Sequence, residues 1–180
     1  QILCATLLTQ EKNVIHNIPR IKDVMTLIEL MENLGVEVEQ HSETSYAFKA
    51  SSVNLDYFQT EAYESQSAGL RGSVMILGPL LARFGSAVMP KPGGDKIGRR
   101  RLDTHFLGFQ ALGATFDFNH ADNFYSVHAE RLKGTYMLLD EASVTGTANV
   151  IMASVLAEGT TTIYNAACEP YIQQLCRMLV

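Results

Sequence analysis

Five cations, three glycines and two prolines fall within thirteen residues, Met89-Pro90-Lys91-Pro92-Gly93-Gly94-Asp95-Lys96-Ile97-Gly98-Arg99-Arg100-Arg101, around a single carboxylate, Asp95. Glycine lets a backbone approach a ligand and present its N–H groups, and a guanidinium meets phosphate through paired hydrogen bonds. The stretch has the chemistry of a loop that closes over an anionic, phosphorylated substrate. Its alternative is an exposed basic loop, because runs of charge are ordinarily solvated. Asp95 is either a salt-bridge neutraliser or a chemical group. The surrounding cations hold it ionised and oppose a role as general acid, whereas a bound anion would neutralise them and closure would desolvate it. A proton donor armed only when substrate is present follows from that balance.

Two further places carry charge or hydroxyls where an anion would sit. Arg71, within Ala68-Gly69-Leu70-Arg71-Gly72-Ser73, stands at the expected start of a buried helix, where it either faces an anion or pairs with Glu61 or Glu64. Ser143-Val144-Thr145-Gly146-Thr147 precedes another buried helix and reads as a phosphate-binding turn or as an ordinary N-cap. His16, His41, His105, His120 and His128 show no metal-ligand spacing, so no metal or other cofactor is expected. Nucleotide phosphate-loop, nucleophile-elbow and dinucleotide glycine motifs are also missing.

These residues need a frame, and 180 residues with 47% hydrophobic and 18% charged content suffice for one globular domain. A formal net charge of −5 argues against general nucleic-acid affinity and makes the basic loop a local feature. Cys4, Cys168 and Cys176 are odd in number and flanked by apolar residues, which predicts reduced core thiols in a cytoplasmic protein. No stretch is apolar for the roughly 18 residues a membrane span requires. Gln1 followed directly by an apolar run predicts a chain that begins inside a larger protein.

Self-similarity supplies the architecture. Ile2–Leu8 aligns with Met75–Leu81 and with Val150–Leu156, the last leucines being 73 and 75 residues apart. A strand-like run follows each: Asn13–Asn17, Ser86–Met89 and Thr160–Asn165. A second helix with an amphipathic pattern comes next, on Ile21, Val24, Leu27, Ile28, Met31 and Leu34 before Gly35, on Leu102, Phe106, Phe109 and Leu112 before Gly113, and on Ile172, Leu175, Cys176 and Leu179 after Pro170. Val36–Glu39 with Tyr46–Ala50, and Thr115–Phe118 with Phe124–His128, alternate as hairpins, and Tyr136–Leu139 reads as one more strand. The prediction is an α/β (α+β) domain of repeated helix–strand–helix–hairpin units at about 1–50, 70–130 and 143–180. Its apolar helices lie inside and its strands and amphipathic helices outside, in the manner of an inverse α/β barrel. The third unit stops just short of the glycine expected after its amphipathic helix, which predicts a truncated domain.

Leu80-Leu81-Ala82-Arg83-Phe84-Gly85, Pro92-Gly93-Gly94-Asp95-Lys96-Ile97-Gly98-Arg99-Arg100, Asp103, His105 and Leu156-Ala157-Glu158-Gly159-Thr160-Thr161 resemble the enolpyruvyl transferase family in its UDP-N-acetylglucosamine 1-carboxyvinyltransferase branch. The resemblance runs along the whole chain. It implies transfer of the enolpyruvyl group of phosphoenolpyruvate to the 3′-hydroxyl of UDP-N-acetylglucosamine, with release of phosphate and no metal, as the first committed step of peptidoglycan synthesis. It also implies two similar domains with the site between them, of which residues 1–180 form most of the loop-bearing one.

By position, the resemblance makes Asp95 the proton donor, at a place where most members carry cysteine and a minority aspartate. Fosfomycin alkylates that cysteine, so insensitivity is implied here. Arg71, Lys96 and Arg100 become phosphoenolpyruvate ligands. Arg100, Arg101, Leu102, Asp103 and Thr104 become the nucleotide segment, with Asp103 accepting from the uracil N–H. Ser143, Val144 and Thr145 match the diphosphate turn, with Thr145 in place of a usual glycine and Glu141 where some members carry a nucleotide-binding lysine. The family's lysine–asparagine pair lies upstream of Gln1 and its general-base aspartate in the second domain, so the 180-residue chain alone is expected to be inactive. The rival readings are 3-phosphoshikimate 1-carboxyvinyltransferase and a non-catalytic anion-binding fragment.

Overall fold

A computed structural model describes residues 1–90, 102–120 and 123–180. Asp95, Lys96, Arg100 and Arg101, to which the sequence assigned roles, therefore lie outside the described residues. The first segment runs from α1 (Ile2–Ala5), which tightens into a 3₁₀ turn at Thr6–Leu8, through β1 (Asn13–Ile15) and α2 (Lys22–Asn33) to β2 (Glu37–Ser42) and β3 (Ser45–Lys49). The alternation seen in the sequence sets the register: Val38 lies opposite Phe48 and Val14 opposite Ala47, all antiparallel, with β3 central in the order β1-β3-β2. Beyond α2, Gly35 takes a left-handed φ of 92°, and Val36 N–H reaches back to Met31 O at 3.0 Å, which ends the helix and turns the chain into β2.

The second segment has the same form. A 3₁₀ turn over Arg71–Ile76 leads into α4 (Leu77–Phe84), β4 (Ser86–Pro90), α5 (Asp103–Ala111), β5 (Thr115–Asn119) and β6 (Phe124–His128). Its sheet order, β4-β6-β5, again places the last strand in the middle. Then come β7 (Tyr136–Leu138), α6 (Val144–Ser154), β8 (Thr162–Tyr164) and α7 (Pro170–Leu179), with β7 and β8 paired in parallel. Between the first two segments lie a 3₁₀ turn at Leu55–Gln59 and a helix, α3 (Glu61–Gly69), for which the sequence offered no apolar periodicity.

A single apolar cluster joins all of these elements. At its centre α6 packs against α4, α5 and α7, and two glycines set how close it comes. A Cβ on Gly78 of α4 would stand 2.3 Å from the carbonyl oxygen of Asn149, and one on Gly108 of α5 would stand 2.2 Å from Val150 Cγ2. The first contact brings α4 against the backbone of α6, and the second leaves room on α5 for the Val150 side chain.

Several expectations need correcting. Arg71 opens a 3₁₀ turn rather than an α-helix, and α4 begins only at Leu77. The third apolar run outlasts its helix: α6 ends at Ser154, leaving Val155 and Leu156 exposed at the turn that follows. The apolar stripe of α5 is buried as expected, at Phe106, Phe109 and Leu112, but Thr104 and His105 are buried with it, so the outer helix lacks the polar face that was expected of it at its start. The reason is that α5 is sandwiched, with Gly108 against α6 and Phe106 stacked on Phe116 of β5 at 4.2 Å. Of the cysteines only Cys4 is in the core, and burial raises its thiol pKa. Cys176 is exposed on α7, off the stripe formed by the buried Ile172 and Leu175, and Cys168 is exposed in the preceding loop. Among the described residues no helix is long and apolar enough to cross a membrane.

Candidate active-site corner

Two helices start side by side. Thr104, in the first turn of α5, is buried and donates its hydroxyl to Asp140 Oδ1 at 2.6 Å, tying α5 to the loop that leads into α6. Ser143 is the N-cap of α6, its Oγ accepting from Gly146 N–H at 3.2 Å. The capping alternative for Ser143 is thus realised. It leaves the N–H groups of Val144 and Thr145 ahead of the first intrahelical bond, from Thr147 N–H to Ser143 O at 2.8 Å. A Cβ on Gly146 would lie 2.8 Å from Thr104 Cγ2, so the two first turns touch. The summed field of two helix N-termini favours negative charge in this corner.

Behind it lies a fully buried polar network. Asn149, alone among apolar neighbours on α6, accepts Gly78 N–H on its Oδ1 at 2.8 Å. It donates through Nδ2 to Val74 O at 2.8 Å and to His105 Nδ1 at 2.9 Å. The other imidazole nitrogen, His105 Nε2, lies 3.2 Å from Thr145 Oγ1. Burial, and secondarily the charge of Arg71, push the His105 pKa down to about 4, so the ring is neutral at physiological pH.

Of the residues singled out in the sequence, Arg71, Leu102, Asp103, Thr104, Ser143, Val144 and Thr145 are described. The contacts above bring Thr104, Ser143 and Thr145 to the adjoining starts of α5 and α6 through Asp140, Gly146 and His105, and the charge of Arg71 is felt at His105. Asp103 is exposed as the first residue of α5, where its charge helps raise the Tyr125 pKa behind burial, and Leu102 is half-buried just before it. Glu141 is exposed, and its backbone carbonyl accepts Ser143 N–H at 2.8 Å. Sequence reasoning missed Asn149 and Asp140. A lone asparagine inside Ala148-Asn149-Val150-Ile151-Met152 was the available sign, because a buried amide must find partners.

The model of the family described as EPSP synthase (3-phosphoshikimate 1-carboxyvinyltransferase) matches residues 1–180. Among curated relatives, a UDP-N-acetylglucosamine 1-carboxyvinyltransferase of Porphyromonas gingivalis is 61% identical over 180 residues, covering 100% of this chain and 42% of its own. One of Bacteroides thetaiotaomicron is 60% identical over 179 residues, covering 99% and 41% respectively. The chain thus spans about two fifths of the length of the relatives it matches. Among solved structures, the enolpyruvyl transferase NikO from Streptomyces tendae superposes with a TM-score of 0.80 at 18% identity, covering 99% of this chain and 41% of that one. EPSP synthase from Acinetobacter baumannii gives 0.68 at 15%, covering 98% and 41%. The structural likeness establishes a shared fold, and the match along the entire sequence establishes membership: the chain belongs to the EPSP synthase (3-phosphoshikimate 1-carboxyvinyltransferase) family.

Proposed function

We propose that this chain is the loop-bearing part of a cytoplasmic UDP-N-acetylglucosamine 1-carboxyvinyltransferase, which moves the enolpyruvyl group of phosphoenolpyruvate to the sugar 3′-hydroxyl in peptidoglycan synthesis. The observation that carries the reading is the 60–61% identity, over essentially the whole chain, to relatives of that name. The corner at the starts of α5 and α6 supports it, because two adjoining helix N-termini favour a bound anion such as a diphosphate.

In the proposed reaction the 3′-hydroxyl oxygen bonds to C2 of phosphoenolpyruvate while Asp95 gives its proton to C3, forming a tetrahedral adduct. The hydroxyl proton passes to a base outside this chain. Loss of a C3 proton then expels phosphate and restores the double bond, so no oxidant or reductant is needed. Arg71, Lys96 and Arg100 hold the phosphoenolpyruvate, and Arg101, Leu102, Asp103, Thr104, Ser143, Val144 and Thr145 line the UDP-sugar side, with Arg100 reaching both. A second domain of the same polypeptide supplies the rest of the site.

A chimera in which residues 1–180 replace the matching segment of the Porphyromonas gingivalis relative tests this. It should release phosphate from phosphoenolpyruvate only when UDP-N-acetylglucosamine is present, while the 180-residue chain alone should release none. Release that depends instead on shikimate 3-phosphate would assign the other branch, and a silent chimera that folds normally would leave only an anion-binding role.

A further inference from the structure

The network behind the corner does more than fill space. We propose that His105 is a positioning residue, locked as its Nε2–H tautomer so that the hydroxyl proton of Thr145 is turned outward, as a donor to the diphosphate. The proposal rests on the functional reading above for the identity of that anion.

The tautomer follows from a chain of obligations. An amide can be reversed in its site without changing shape, so its orientation must come from its partners. Asn149 has two fixed ones of opposite kind: Gly78 N–H can only donate, at 2.8 Å, and Val74 O can only accept, also at 2.8 Å. Oδ1 must therefore face Gly78 and the NH₂ group must face Val74. The second hydrogen of that NH₂ group points at His105 Nδ1, 2.9 Å away, which must then be the unprotonated acceptor. A neutral imidazole with a bare Nδ1 carries its hydrogen on Nε2, and Nε2 meets Thr145 Oγ1 at 3.2 Å. The ring is buried and its low pKa excludes the doubly protonated form at neutral pH.

The consequence falls on Thr145. Its oxygen accepts from His105, so its own hydrogen must be given elsewhere. Thr145 is exposed, and His105 Nε2 is the one hydrogen-bond partner of its hydroxyl among the described residues. Thr145 and Asn149 are four residues apart on one face of α6, which is why a single imidazole on α5 reaches both. With the opposite tautomer, Nε2 would take the Thr145 proton and leave only lone pairs facing an incoming phosphate oxygen. The arrangement thus converts a hydroxyl that could face either way into a directed donor beside the free N–H groups of the α6 first turn.

The test uses the chimera described above. Imidazole ¹⁵N resonances at neutral pH should show His105 with a bare Nδ1 and a protonated Nε2. In calorimetric titration with UDP, Thr145→Val should bind about tenfold more weakly, the loss expected of one hydrogen bond to a charged acceptor, and Thr145→Ser should stay within about twofold of the parent. Turnover should report the same change mainly as a raised KM for the UDP-sugar. Circular dichroism of Thr145→Val checks that the fold is kept, and the serine variant decides the matter if it is not. A protonated Nδ1, an imidazolium, or UDP binding unchanged in Thr145→Val would overturn the proposal. Thr145-dependent UDP binding without acceptor-dependent phosphate release would uphold it and sink the transferase reading; the reverse pattern would do the opposite.

Discussion

Residues 1–50 and 70–130 each carry a helix, a strand, a second helix and a hairpin whose last strand is central, yet among the described residues only the second helix of the latter, α5, starts against the start of another helix, α6. The difference lies in what each second helix faces. Helix α2 packs on β2, α3 and the 3₁₀ turn at Arg71–Ile76, and it starts at the exposed Ile21 with no side-chain cap. Helix α5 lies against α6, with the buried Thr104 and His105 in its first turn. The two sheets share a strand order; what sets α5 apart is that its start meets another helix start with a buried polar network behind it.

That contrast is open to attack at several points. The largest effect should come from the connections between each first strand and second helix. Asp95→Ala, in the β4–α5 connection, should lower turnover of the chimera by about 10²–10⁴-fold, the usual worth of a general acid, while Arg20→Ala, in the β1–α2 connection, should change it less than twofold. Asp95→Cys should keep activity and gain inactivation by fosfomycin; an active but resistant variant would misplace the residue. Steady-state phosphate-release assays read all three.

Next comes the helix seam. The repeat alignment sets Gly78 of α4 against Ala5 of α1, so the first segment accepts a Cβ where the second cannot. Gly78→Ala should cost about 2–4 kcal/mol in denaturant unfolding, because the added carbon meets backbone and Asn149 must move. Ala5→Gly should cost about 1 kcal/mol or less. Equal effects would mean that the two seams are packed alike.

Acid should then separate the segments. The folded His105 pKa of about 4 lies below its ordinary 6.5, so between these values the unfolded chain binds a proton that the folded chain refuses. Stability is therefore full above pH 6.5 and falls as the pH drops towards 4, by roughly 3 kcal/mol from this group. Replacing His105 with asparagine, which can still accept from Asn149, should flatten the slope of stability against pH in that window. The smallest effect belongs to the exposed pair Lys12–Glu39 on the first sheet: Lys12→Ala should leave the thermal midpoint unchanged within error, as exposed ion pairs usually do.

The sequence made the scaffold readable because period-2 and period-3.6 patterns report directly on which side of an element is buried. Both hairpins, α2 with its glycine stop and the strand at Tyr136 were legible for that reason. Helix α3 was not, since little more than Tyr63 and Ser67 is buried along it and two residues make no stripe. The corner was half legible. Charged and hydroxyl residues advertise themselves, so Arg71 and Ser143 stood out, whereas Thr104 was reached only through the family resemblance. The partners that orient them did not, because Asn149 and Asp140 act across helices 36 or more residues apart in sequence, and hydrophobic patterning is blind to such pairing.

The helix that the sequence concealed protects the molecule from itself. β4 is the outer strand of its sheet, and an outer strand offers unpaired backbone groups to any other strand that passes. Tyr63 of α3 is wholly buried and donates its hydroxyl to Val88 O on β4, while α3 and the Leu55–Gln59 turn lie along that strand. The inserted segment serves as a cover against edge-to-edge association. Tyr63→Phe would keep the ring and its packing but free one edge carbonyl, so its signature should be aggregation during refolding more than a lost fold.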